Sequence, residues 1–218
     1  MKKMLFMTLV ALMGVVVVNN AQAQDTVVIS GNVMFLSMTN ATLTGGFFSK
    51  NPALRGLISI SYSDFSFSVM RNSDLLDPTS SANVFVLLSS YTKTWGKWSL
   101  EMTGEIDVFD KVKDLNLISP YLTIARRGVI DMDVLVGYAR TISENVYLLR
   151  GSVSKSYQGF TFRAYAWYLD WETDKVSFAG EISKNVSPQL KVSVFGHLNN
   201  VNLDGGNLFG VIRVGYSF

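Results

Sequence analysis

Apolar side chains recur at every second residue through most of this 218-residue chain, in runs of about ten, and no long stretch repeats with a 3.6-residue period. The clearest run is 97–109. There Trp98, Leu100, Met102, Gly104, Ile106 and Val108 alternate with Lys97, Ser99, Glu101, Thr103, Glu105 and Asp107. A period of two means extended strands with one apolar and one polar face. Turn-forming clusters cut the pattern into twelve strands: 27–39, 54–62, 65–72, 83–91, 97–109, 116–126, 129–140, 146–156, 160–171, 175–183, 190–199 and 207–218. The apolar parity flips across Ser63-Asp64, from Ile58, Ile60 and Tyr62 to Phe65, Phe67 and Val69. A two-residue hairpin produces such a flip. The fold class is all-β. The first and fourth strands alternate least clearly, and a ten-strand count follows if both are false.

The two ends of the chain say where such a protein resides. Lys2 and Lys3 precede an uncharged, mostly apolar run, 4–18, which Asn19-Asn20 ends and Ala21-Gln22-Ala23 follows. This is the pattern of a secretory signal peptide, residues 1–23, leaving one domain over 24–218. The apolar run is shorter than the ~20 residues of a spanning helix. The chain has no Cys, which excludes a lipid-anchored cysteine and disulfide bracing alike. Of its 19 basic and 17 acidic residues the signal holds two lysines and no acid, so the mature chain is neutral and no nucleic-acid surface is expected. The last nine residues run Gly-Val-Ile-Arg-Val-Gly-Tyr-Ser-Phe. Ile212, Val214, Tyr216 and Phe218 share one face, and Arg213 with small residues forms the other. This ending resembles the C-terminal assembly signal of bacterial outer-membrane β-barrels. The resemblance implies a transmembrane, antiparallel, up-and-down β-barrel in the outer membrane of a Gram-negative bacterium, with outer-membrane lipids and the barrel assembly machinery as partners.

An even strand count returns both termini to the periplasmic side. The long polar loops 40–53, 73–82 and 200–206 then face outward, and the short turns at Ser63, Arg127 and Gln158-Gly159 face the periplasm. The similar stretches Ser143-Glu144-Asn145-Val146 and Lys184-Asn185-Val186-Ser187 fall on opposite sides. A soluble barrel also alternates, with its apolar face inward. The export signal, the chain ending and the aromatics Trp95, Trp98, Tyr138, Tyr147 and Tyr168 near strand ends favour the membrane form.

The polar face then lines a lumen. Glu101, Glu105, Asp107, Asp131 and Asp133 place acids on one arc. Arg150, Arg163, Lys175, Lys191 and Arg213, with Arg55, place bases on the rest; Glu181 is the acidic exception and His197 shares the lumenal face. Opposed arcs set a transverse field across a wet constriction, suited to dipolar or zwitterionic solutes. The competing outcome is that the charges pair across a narrow lumen and plug it. Tyr121, Tyr165, Trp167, Phe195 and Phe209 also fall on this face. Space-filling, or a bulge that turns Trp167 outward, is the expectation for them.

Acyl-transfer chemistry needs a base near a nucleophile. His197 is the one histidine of the chain. Ser193 stands four strand residues away, about 13 Å, which leaves Ser177 or Ser217 on neighbouring strands as the nucleophile of a lipid-modifying hydrolase. There is no G-x-S-x-G elbow, zinc motif or phosphate loop. Asp131 and Asp133 with Glu101 are a candidate Ca²⁺ set, with salt bridging the expected alternative. The reading is a porin-like channel for passive diffusion of small polar solutes, not an enzyme, without metal or cofactor. A plugged adhesion barrel acting through loops 40–53 and 73–82, the latter with Leu75-Leu76, is the alternative from another class.

Overall fold

The computed structural model describes residues 26–37, 39–40, 47–49, 51–80, 83–110, 116–140, 145–171, 173–199 and 207–218. The expected signal peptide and loop 200–206 lie outside the described residues, as do parts of the other loops. Twelve strands form the barrel: β1 (Val28–Leu36), β2 (Ala53–Tyr62), β3 (Phe65–Asp74), β4 (Val84–Trp95), β5 (Trp98–Phe109), β6 (Leu117–Arg126), β7 (Asp131–Arg140), β8 (Asn145–Tyr157), β9 (Phe160–Trp171), β10 (Thr173–Asn185), β11 (Leu190–Asn199) and β12 (Asn207–Ser217). Each pairs antiparallel with its neighbours in sequence, and β12 closes on β1 from Asn32↔Ser217 to Leu36↔Arg213. A two-stranded ribbon, Thr39–Asn40 with Phe47–Ser49, lies between β1 and β2.

Short turns gather at one rim. Ser63 (φ 53°), Gly96 (φ 58°), Gln158 (φ 49°) and Gly159 (φ 78°) occupy the left-handed region that two-residue hairpins use. The Gly96 turn corrects the expected fourth strand. It runs on to Trp95 and pairs Trp95 with Trp98, because a residue with positive φ lets the hairpin close there. The turn at 186–189 lies on this rim, while β7 ends at Arg140 and β8 begins at Asn145 at the other, as the even count requires.

Which face points outward separates a membrane barrel from a soluble one. Ile58, Phe67, Met102, Val134, Phe178, Val194 and Ile212 are all exposed on the outer wall, each more than two-fifths accessible. Apolar surface all the way round a closed barrel needs lipid against it. Trp95 and Trp98 stand at the short-turn rim. Tyr147 sits towards the loop rim, its ring 5.4 Å from that of Tyr138. These are the positions of interfacial aromatic belts.

The seam has its own fit. Beyond the last strand residue, the Gly31 amide donates to the Phe218 carbonyl at 2.9 Å and the Phe218 amide to the Gly31 carbonyl at 3.0 Å. The Phe218 ring lies over Gly31 where a Cβ would collide with it. The terminal phenylalanine thereby extends the β1–β12 ladder and covers the backbone of the first strand.

The loop-ward half of the interior holds two apolar clusters beside buried Asn72, Asn83, Ser119 and His197. Leu36, Ala53, Leu135, Leu148, Trp167, Phe195 and Val211 form one buried cluster, drawn from β7, β8, β9, β11, β12, β1 and β2. Met70, Val84, Val86 and Phe109 form a second, on β3, β4 and β5. Of the two alternatives for the inward aromatics, Trp167 and Phe195 fill space and no bulge shifts the ninth strand. β9 holds unbroken register with β8 and with β10, which turns Trp167 inward and leaves it 4 % exposed.

Candidate functional site

Much of the interior charge gathers around one chamber. This chamber, of about 290 Å³, is lined by Leu88, Ser99, Glu101, Glu105, Tyr121, Thr123, Ala125, Arg127, Asp133, Leu135, Arg150 and Arg163. Volume of this size holds roughly ten waters at about 30 Å³ each. Its wall offers three carboxylates, on β5 and β7, and three guanidiniums, from β8, β9 and the β6–β7 turn. Alternation makes this inevitable once register is fixed: the β5 members of the lining, Ser99, Glu101 and Glu105, have odd parity, opposite to the lipid-facing Met102 and Val108.

Where the acidic and basic arcs meet, they bond. The Arg150 guanidinium lies 3.4 Å from the Asp133 carboxylate, and the Ser152 hydroxyl donates to the same group at 2.5 Å. The Thr103 hydroxyl donates to Glu101 at 3.1 Å. Glu105 is buried, 4 % exposed, in hydrogen-bonding contact with Asp107 and Tyr121. Tyr121 faces Gly137 across the β6–β7 ladder, and a Cβ at Gly137 would come within 2.9 Å of the tyrosine Cβ. The glycine is what lets the two strands' side chains approach so closely there.

On the opposite wall the cations rest on aromatic rings. Arg213 lies 3.8 Å from Glu181, which also accepts from the Tyr165 hydroxyl at 3.1 Å. The Arg213 guanidinium stands 4.3 Å over the Phe195 ring, and that of Arg163 stands 5.8 Å from Tyr165. Such contacts hold a partly desolvated cation without a matching anion for every proton. Arg55 donates to Asn72 at 3.3 Å.

The residues singled out from sequence therefore part company. Glu101, Glu105, Asp133, Arg150 and Arg163 share the chamber. Asp107 adjoins it through Glu105, whereas Arg55, Glu181 and Arg213 lie outside its lining. Asp131 sits at the short-turn rim and accepts from the Gly128 amide at 3.0 Å. Lys191 lies at the same rim, exposed. The side chains of Lys175 and Phe209 are outside the described residues. The Ca²⁺ set is not assembled, since Asp131 serves the turn and Asp133 is ion-paired; among the described residues no three acidic or histidine groups gather as metal ligands.

His197 is fully buried, its ring 5.1 Å from Trp167 and 5.9 Å from Phe195. A substrate entering the chamber does not reach it. His197 pairs with Phe209, eight strand positions from Ser217. That is about 26 Å at the strand rise, which removes Ser217 as its partner. Sequence reading missed Arg127, assigned only to a turn, and the neutral liners Ser99 and Thr123. Their inward parity was the available signal.

No family model matches the chain, and comparison with curated proteins finds no match. Solved structures do match. The KdgM porin superposes with a TM-score of 0.64 at 14% identity, covering 87% of this chain and 98% of that one. A second structure, of KdgM porin in complex with disordered oligogalacturonate, gives 0.62 at 15% identity, covering 88% and 98%. The NanC porin gives 0.60 at 13% identity, covering 88% and 99%. The chain has the fold of an outer-membrane porin-like barrel.

Proposed function

We propose that the barrel is a channel for passive diffusion of small polar solutes across the outer membrane. The observation that carries this reading is the chamber. A wet cavity whose wall holds Glu101, Glu105 and Asp133 against Arg127, Arg150 and Arg163 lies inside a barrel whose outer wall is apolar. Fixed charges of both signs offer hydrogen bonds and a field to a passing solute without selecting a net charge. One similar porin was solved with an acidic oligosaccharide. Here three guanidiniums offer partners to a solute carboxylate, but three carboxylates share the wall, so the chamber lining has no cationic excess. Residues 1–23 act as the export signal, and Ile212, Val214, Tyr216 and Phe218 address the chain to the assembly machinery and then face lipid.

Proteoliposome swelling tests the function. Vesicles holding the refolded protein should swell in an uncharged sugar faster than protein-free vesicles, with smaller solutes entering faster. Equal rates with and without folded barrel would refute passive diffusion.

A further inference from the structure

Charge on the outer wall is distributed unequally between the two rims. At the short-turn rim Lys93, Arg126, Lys155 and Lys184 share the parity of the lipid-facing Trp95, Ile124, Val153 and Ile182. Each lies within two residues of the turn-side end of its strand, on β4, β6, β8 and β10 in turn. Asp64 answers Lys93 at 3.0 Å. Among the described residues no carboxylate pairs with Arg126, Lys155 or Lys184. At the opposite rim the described outward charges balance: Arg71 is paired with Asp110, and Arg140 is matched in number by Asp170.

Aromatic surface lies beside the unanswered cations. The Arg126 guanidinium stands 6.0 Å from the Trp98 ring, and the Lys184 ammonium stands 4.8 Å over Phe160. Lys155 faces Phe162 across the β8–β9 ladder. Trp98, Phe160 and Phe162 are themselves exposed on the outer wall. The charged heads therefore stand at the level where lipid headgroups meet acyl chains. Neighbouring members of the set are two strands apart, about 10 Å at the backbone, so they form a row along the rim and not one pocket.

We propose that Arg126, Lys155 and Lys184 bind the phosphates of anionic phospholipids in the leaflet at the short-turn rim, which the even strand count puts on the periplasmic side. The inference stands on the lipid-facing outer wall and holds whether or not the lumen conducts. Each ring covers one side of its cation and leaves the remaining N–H groups for an oxygen ligand. A phosphodiester supplies such oxygens, and a guanidinium takes two of them at once. A choline headgroup neutralises its own phosphate, whereas a glycerol headgroup leaves the charge uncompensated. Basic residues at a membrane surface favour the second kind of lipid.

The test is competition between brominated phosphatidylglycerol and phosphatidylcholine around the full mature barrel in mixed vesicles, read by quenching of tryptophan fluorescence. Trp95 and Trp98 report on this rim, because both are exposed on the outer wall and Trp167 is buried inside. The parent should prefer phosphatidylglycerol by about threefold or more at low salt. About 1 M salt should abolish the preference. The combined variant Arg126→Gln, Lys155→Gln, Lys184→Gln should bring it to about one, with heat-modifiable gel migration confirming a folded barrel. Arg140→Gln, at the other rim, should leave it intact. Equal binding of the two lipids by the parent would overturn the proposal. Full preference retained in the combined variant, or lost in Arg140→Gln, would overturn it as well.

Discussion

Removing the Asp133 carboxylate should cost more than any surface ion pair, and the coupling to Arg150 should be measurable separately. The charges lie 3.4 Å apart, and their side chains are only 13% and 21% exposed. At an effective dielectric of about 20 the gross attraction is about 5 kcal/mol. Desolvation of two ions offsets more than half, so the net coupling should be about 2 kcal/mol. Asp133→Ala also removes the acceptor of the Ser152 hydroxyl and leaves the Arg150 cation facing a poorer environment. The single substitution should therefore cost about 3 kcal/mol. The assay is a double-mutant cycle of Asp133→Ala and Arg150→Met, read by tryptophan fluorescence during reversible denaturant unfolding from lipid vesicles. A coupling below about 0.5 kcal/mol would refute the reasoning, since that is the range of screened surface pairs.

Three further outcomes follow from packing and facing. Trp167→Ala empties the site where the indole stacks on Tyr165 at 5.0 Å, and should cost about 3–5 kcal/mol by the same unfolding assay. Val134→Arg puts a cation on the lipid face and should cost about 2–4 kcal/mol, whereas Thr123→Arg, in the chamber, should cost under about 1 kcal/mol and move ion preference towards anions in reversal-potential measurements. Gly31→Val forces the Phe218 ring off the seam and should slow insertion into vesicles, with a stability loss of about 1–3 kcal/mol; insertion at the parent rate would remove the terminal ring from the account of closure.

The barrel was legible because alternation reports facing directly. β5 and β7 announce their ends within two residues, since charged or small residues stand opposite apolar ones along most of their length. β1 and β4 were the weak strands for a physical reason: their inner faces join the apolar clusters, so Leu36, Val84, Val86 and Leu88 blur a pattern that otherwise marks lipid from lumen. The chamber was legible in part. Parity puts Glu101, Glu105, Asp133, Arg150 and Arg163 inside, but it says nothing of height, which depends on strand stagger around a closed sheet. For that reason Arg213 and Glu181 were grouped with the others although they pair outside the chamber lining, and Arg127 was overlooked. Trp167 was expected to fill space or turn outward. Only continuous pairing on both sides of β9 fixes it inside.

The central claim is that one face of each strand meets water and the other meets lipid. Because the chain has no cysteine, each position can be given a lone thiol. Glu101→Cys, Met102→Cys, Leu122→Cys and Thr123→Cys, embedded in vesicles, should be treated with a small, charged, membrane-impermeant maleimide. Labelling at 101 and 123 with protection at 102 and 122 is the predicted result. Labelling at 102 and 122 with protection at 101 and 123 would turn the barrel inside out and contradict the account.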